Sequence, residues 1–566
     1  MTNDYHMANC RERRKDDLCF ISVKIQKRNY FLGLYLLYIC MRKTLPTFLL
    51  IFACSAGFSQ SQDNTAMKFA KIINAEDAKK HLSVLASDEY EGRETCKPGQ
   101  KKAAKYIAED FKTIGLKPTK DNNYFQKFPL TLSTPDSVKM IVGEKKYENL
   151  KDFYVFPYGK DLKLEAKSIL FLGYGISDSL YSDYKNADVK DKIVLVLGGE
   201  PMSEDSVSFL TGTKELSEWA TNYRMKADLA KSKGANALIV ISNNYEGNIK
   251  FLKHFIESPS MKLGSDKNDE KKKILQIGIS TKTANDILAS EKKTVDDIKK
   301  KISTTKKSIS FDIKSPFELE IKNKADTLSS ENVLGMIEGS EFKDEVIFVT
   351  AHYDHLGVRD GKVFNGADDD GSGTVGVMEI ANAFEKAKEA GFAPKRTMVF
   401  MTVAGEEKGL LGSSYYTDHP VFPIANTVCD LNIDMIGRVD DDHKKDSSYV
   451  YIIGSDKIST ELHKINENAN ATYTNLKLEY KYNDPNDPNH FYYRSDHYNF
   501  AKKGVPIIFY FNGVHADYHQ ETDEVSKINF DLLVKRAQLV FFTAWDVANR
   551  KDRIKSDVPQ EKSEGK

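Results

Sequence analysis

Five side chains able to bind a divalent cation, His352, Asp369, Glu407, Asp434 and His519, each stand where an apolar, strand-like run gives way to a polar or Gly-rich turn. Acids and imidazoles at such positions are costly to bury unless an opposite charge compensates them. The recurrence therefore predicts an α/β fold whose strand ends converge on a centre for two metal ions.

The run Val346 to Thr350 ends in AHYDHLG. His352 is the favoured ligand there, because Asp354 can take its second ring N–H and fix the tautomer. His355 is the rival ligand, and a histidine pair that merely caps a buried strand is the plainer reading. In NGADDDGSG, 365–373, three consecutive acids crowd a turn. Adjacent carboxylates repel and raise one another's pKa unless a cation intervenes. Asp369 is taken as the ligand shared by two ions; a solvated loop or a calcium site is the alternative, though calcium loops usually space their oxygens alternately.

After the strand-like Thr397 to Val403 come Glu406 and Glu407. One can bind metal while the other accepts a proton from a metal-activated water, so Glu407 is read as ligand and Glu406 as general base. In isolation an acidic pair is simply solvated; here it follows a strand and precedes GLLGS. Asp434 interrupts the apolar CDLNIDMIG, and His519 lies in DYHQETDEVSKI after GVPIIFYF, with His515 as its rival. Tyr518 can donate its hydroxyl to a developing oxyanion.

These segments, in this order, resemble the co-catalytic di-zinc exopeptidases, the family of secreted bacterial aminopeptidases and glutamate carboxypeptidase. The likeness extends to RSDHYNFAKKGVPIIFY and to the upstream GRETCKPGQKKAAKYIAEDFKTIGL. The resemblance implies a three-layer α/β/α catalytic domain. It assigns His352, Asp369 and Asp434 to one zinc, and Asp369, Glu407 and His519 to the other, with Asp369 bridging. It makes Glu406 the base that activates a water bridging the two ions and Asp354 the orienter of His352. Asp496 and His497 become supporting or substrate-side groups, and the peptide bond Asp369–Asp370 is expected to be cis. Manganese or cobalt are candidate substitutes for zinc, since ligand type alone does not choose the metal.

The insert has its own signature. From about residue 131 to 322 the chain turns to short strand-like runs such as SILFLGYG, KIVLVLGGEP and GANALIVIS. They resemble the protease-associated domain, so a mainly β inserted domain is expected between catalytic segments 61–130 and 323–552. Helical periodicity over Ala75 to Leu85, Gly99 to Ile114, Thr374 to Lys388 and Phe530 to Asn549 supplies the outer layers. The Lys- and Glu-rich tail 553–566 is read as disordered, and 266–273 as a solvated charged loop.

Lys plus Arg and Asp plus Glu each number 82, so the formal charge is zero and nothing suggests a nucleic-acid partner. From Met41, MRKTLPTFLLIFACSAGFSQ reads as a signal peptide over 41–60, with 1–40 as an extension that does not belong to the protein. An exported chain without a stable membrane span follows, since each apolar run falls short of the ~20 residues needed. Cys54 is a poor match to a lipid attachment site. Cys96 and Cys429 remain in the mature chain, with an inert thiol the default at Cys429.

Peptide substrates are the expectation, cleaved by an aminopeptidase. Carboxypeptidase action of the glutamate carboxypeptidase type is the first alternative. Glutaminyl cyclase-like acyl transfer uses a single zinc in the resembling proteins, and a receptor-like relative has lost metal residues; retention of all five ligands and Glu406 argues against both.

Overall fold

Strand Phe342–His352 explains why this chain reads as apolar runs rather than alternating ones: it is buried on both faces. Val346 and Phe348 pack with Tyr416 and Phe500 on one side. Ile347, Val349 and Ala351 pack with Val377, Phe384 and Phe541 on the other. Strands Arg396–Val403 and Thr427–Ile433 flank it in parallel, and Ile507–Phe511 adds in parallel beyond the latter. Helices Ala75–Leu85, Pro98–Ile114, Gly373–Glu389 and Phe530–Asn549 line the sheet face that carries Ile347, while Leu411–Asp418 and His497–Ala501 cover the opposite one. This is the three-layer α/β/α sandwich the motifs imply.

The chain leaves Phe342–His352 for a neighbour on one side and then returns to the other side. That order creates a crevice beyond the carboxyl ends of the strands, where ligands bind in open α/β sheets.

This computed structural model describes residues 62–119, 122–155, 161–264 and 274–559. They belong to one unit, Gln60–Lys566. The readings of 1–60 as extension and signal, of Cys54, of 266–273 and of the last residues from 560 lie outside them. No helix among the described residues is long and apolar enough to cross a membrane.

Two long antiparallel strands, Phe125–Val142 and Phe317–Ile337, pair along their lengths and carry the chain out of the main sheet and back. Residues 131 and 322, expected as domain boundaries, both fall inside these strands rather than between elements. Beyond them lies a second sheet of six strands. Four of its strands are parallel: Ile169–Leu172, Ile193–Leu197, Ala237–Ile241 and Leu275–Ile279. Helix Tyr223–Ser232 buries Ala227 and Ala230 on one face of that sheet, and helices Thr281–Leu288 and Val295–Thr305 bury Ile287, Ile298 and Ile302 on the other.

The tail departs from expectation. Arg553 donates to the carbonyls of Ala425 and Thr427, Ile554 is buried, and Asp557 accepts from Thr460, so residues 553–559 are held in place. Specific anchors outweigh the charged composition. Cys96 and Cys429 are both free thiols.

Candidate metal centre

Asp369 is the hub. Its Oδ1 lies 3.3 Å from His352 Nε2 and its Oδ2 lies 3.1 Å from His519 Nε2. Asp434 Oδ1 approaches the first imidazole to 3.7 Å, and Glu407 Oε2 the second to 3.4 Å. Ligand atoms bonded tetrahedrally to zinc at about 2.1 Å stand about 3.4 Å apart, so each imidazole lies at coordination-shell distance from two carboxylates; the sets whose ligand atoms all lie within 4.8 Å of one another are His352, Asp370 and Asp434, and His355, Asp369 and Glu407. The five residues, with Asp434 and His519 lying 82 and 167 positions after His352 in the sequence, come together because each ends or follows a parallel strand of one sheet.

The three acids of the turn have separate tasks. Asp368 Oδ1 accepts from the main-chain N–H of Gly437 and the Ser372 hydroxyl, and its Oδ2 meets His515 Nε2 at 3.1 Å. His515 is thereby occupied behind the site, which leaves His519 as the facing histidine. Asp370 also stands close enough to His352 and Asp434 to share a cation. Its oxygens, however, already accept main-chain N–H groups from His352, Gly373 and Met435, so Asp370 is a clamp and Asp369 keeps the free carboxylate. Asp523 Oδ2 receives the N–H groups of Asp368 and Asp369, and the Asp369–Asp370 peptide bond is cis.

Asp354 does not do what its spacing suggests. The His352 Nδ1 partner is the Asp354 main-chain carbonyl at 3.1 Å, while the carboxylate is 3.9 Å away. That carboxylate instead accepts from the Thr95 hydroxyl and from the main-chain N–H of Glu406. It anchors the backbone of Glu406. Glu406 Oε2 reaches within 4.0 Å of His352 Nε2.

Tyr518 stacks on His519, with ring centroids 3.9 Å apart, and its hydroxyl accepts from Arg494. Asp496 is buried and accepts from the Ser413 hydroxyl; burial pushes its carboxyl up to about 7. His497 is a correction: it is wholly buried, bonded to the Tyr492 carbonyl and stacked on Phe509, and burial lowers its pKa to about 3. It is a core residue and touches no group of the site.

The chain's own groups demand positive charge. Burial disfavours the charged imidazole of His352, yet Glu406, Asp434 and Asp369 together raise its pKa well above the ordinary value. His519 behaves alike, raised to about 10 against the pull of burial by Asp369 and Glu407. Glu406, by contrast, is raised well above the carboxylate range by burial and then by Glu407 and Asp434. Among the buried atoms without a hydrogen-bond partner are Asp369 Oδ2 and Glu407 Oε1. Orphaned buried carboxylate oxygens beside imidazoles suit divalent cations.

Two contributors escape sequence reasoning. Arg93, wholly buried, donates to the carbonyls of Leu85, Tyr353, Asn365 and Gly366, tying the strand end and the acidic turn to the helix Ala75–Leu85. Thr95 holds Asp354. Both come from the turn-rich GRET segment, whose letters carry no spacing signal for a contact some 260 residues away.

Fold and cage together define a class: an α/β/α protein with a twin carboxylate–imidazole cage at the strand ends. Residues 332–544 match the family model of peptidase family M28, and residues 169–287 match that of the PA domain. The likeness to co-catalytic zinc exopeptidases with an inserted protease-associated domain thus holds over both stretches. A probable glutamate carboxypeptidase of Arthroderma benhamiae is 38% identical over 105 residues, 18% of this chain and 14% of that one. An aminopeptidase of Bacillus subtilis is 32% identical over 123 residues, 21% of this chain and 25% of its own. The chain therefore spans well under two thirds of either relative. The solved aminopeptidase from Aneurinibacillus sp. strain AM-1 superposes with a TM-score of 0.50 at 19% identity, covering 87% of this chain and 98% of that one, a likeness of fold.

Proposed function

We propose that the protein is an exported zinc-dependent exopeptidase, an aminopeptidase that hydrolyses N-terminal residues from peptides. The observation that carries the reading is Asp369 between two imidazoles, 3.3 Å from His352 and 3.1 Å from His519, with Asp434 and Glu407 beside them. His352, Asp369 and Asp434 would hold one cation and Asp369, Glu407 and His519 the other, with zinc as the native metal and manganese or cobalt as substitutes. When bound, such ions act as Lewis acids and make water a competent nucleophile near neutral pH.

The remaining work falls to side chains. Glu406, fixed through its backbone by Asp354, takes the proton of the attacking water and later delivers it to the leaving amine. Its high affinity for a proton, set by burial and neighbouring acids, suits the second half of that task. Tyr518 accepts from Arg494 and so keeps its own O–H for the substrate's developing oxyanion.

Arg438 is paired through Nη2 with Asp517, and its buried Nη1 lies 3.8 Å from Asp523. Arg494 gives a carboxypeptidase reading its one support, because it is exposed beside Tyr518. A matched panel of free-amine and N-acetylated peptides decides between them: acetylation stops an aminopeptidase and spares a carboxypeptidase. Export is tested by sequencing the amino terminus of the mature protein, expected near residue 60.

A further inference from the structure

Resting on the metal-dependent reading above, we propose that His355 is a sixth protein ligand, giving the Glu407–His519 ion a second imidazole while the His352–Asp434 ion has one. The five-residue set leaves His355 without a task, and as rival to His352 it would be redundant. The structure separates the two histidines. His352 faces Asp434, whereas His355 Nδ1 lies 2.9 Å from Glu407 Oε1 and 3.8 Å from Asp369 Oδ2.

Asp369 Oδ2 is the oxygen that His519 Nε2 also approaches. His355 is wholly buried, and neither of its ring nitrogens makes a hydrogen bond. The short approach to Glu407 is thus a contact without hydrogen-bond geometry, and Glu407 Oε1 and Asp369 Oδ2 are themselves unbonded. Three orphaned atoms of ligand chemistry, one imidazole nitrogen and two carboxylate oxygens, meet at one point. Leaving buried polar atoms unmet is costly, and a shared cation removes that cost.

The ring is held for this purpose. The His355 main-chain N–H donates to the Arg93 carbonyl, and its neighbour Glu94 forms a parallel bridge with it. The face of the ring packs over Gly366, where a Cβ would come within 2.4 Å of the imidazole Cδ2. Gly366, at φ +52°, supplies both the left-handed turn into the acidic loop and the space for the ring. With its main chain bonded to the Arg93 carbonyl and its ring packed on Gly366, the imidazole faces Glu407 and Asp369.

Zinc-edge X-ray absorption on the fully loaded wild-type protein, run beside an aminoacyl-arylamide or peptide hydrolysis assay on the same sample, tests this directly. Outer-shell imidazole scattering for three rings over two zinc ions is expected, and scattering for two rings overturns the assignment while hydrolysis keeps the proposed function. Failure to bind zinc at all overturns both. In the cobalt-substituted protein, His355→Asn should remove one hyperfine-shifted imidazole N–H resonance and weaken the second ion ~10–100-fold against a chelator. An unchanged set of shifted resonances contradicts ligation, whatever happens to the rate.

Discussion

At the scale of single residues, the proposed reading divides the cage into groups that hold charge and groups that move it. Glu406 lies 4.0 Å from His352 but belongs to neither ligand triad. Glu406→Gln should lower kcat by ~10²–10⁴-fold, the usual weight of general acid–base catalysis, while bound metal stays at the wild-type level. Atomic emission on the variant beside a rate measurement checks this, and near-normal turnover removes Glu406 from the role of base. Asp369→Asn is the complementary case. Both of its oxygens face imidazoles, so the amide should lower metal content well below wild type, and a variant that keeps two ions would show that Asp369 does not bridge.

Sequence spacing singles out residues that the fold gathers, because each is a polar break in an apolar run. It is blind to which atom of a residue is used: Asp354 offers His352 its carbonyl rather than its carboxylate. It also ranks His355 only as a rival of His352, since two histidines three apart at a strand end look like alternatives until a third dimension separates the oxygens they face.

Among elements, helices Ala75–Leu85, Pro98–Ile114 and Gly373–Glu389 meet around a second titratable group away from the cage. Glu379 is buried, with His81 Nε2 4.0 Å from its Oε1 and the same nitrogen 3.8 Å from Asp110. Burial, with help from Asp77 and Asp110, raises Glu379 to about 8, and burial raises Asp110 to about 6. Both folded values exceed the ordinary carboxylate ones, so the folded state holds protons that the unfolded chain has already released. Stability from this cluster is therefore full below about pH 4 and is lost as pH rises toward about 8. Glu379→Gln should remove most of that slope, a gain on the order of 3 kcal/mol over wild type at about pH 9 and little difference at about pH 4. Urea unfolding across that range measures it, and an equal offset at both ends would contradict the assignment.

Element boundaries follow the same logic of what the letters contain. Helix Phe530–Asn549 and strand Arg396–Val403 lie where periodicity and apolar runs predict them. The entry into the insert does not, because Phe125–Val142 and Phe317–Ile337 are continuous strands whose composition changes midway. A shift in composition marks where burial changes, and a two-stranded arm can leave a sheet without any break in its hydrogen-bonded ladder.

For the molecule as a whole, the sandwich gathers acids that its own cations cannot neutralise. Arg93 beneath the turn spends its N–H groups on carbonyls, and the imidazoles answer by holding protons. Bound ions should then stabilise the fold by linkage: saturating metal at about 100 times its dissociation constant adds roughly 2.7 kcal/mol per site. A chelator should lower the thermal midpoint accordingly, and an unchanged midpoint after verified metal removal would mean that the cage does not couple to folding. The central claim, that Asp369 bridges paired cations which drive peptide hydrolysis, meets its most direct test in elemental analysis of purified, active protein. Two divalent transition-metal ions per chain are expected, lost together with activity on chelation and restored with it; an active preparation free of such metal would contradict the account.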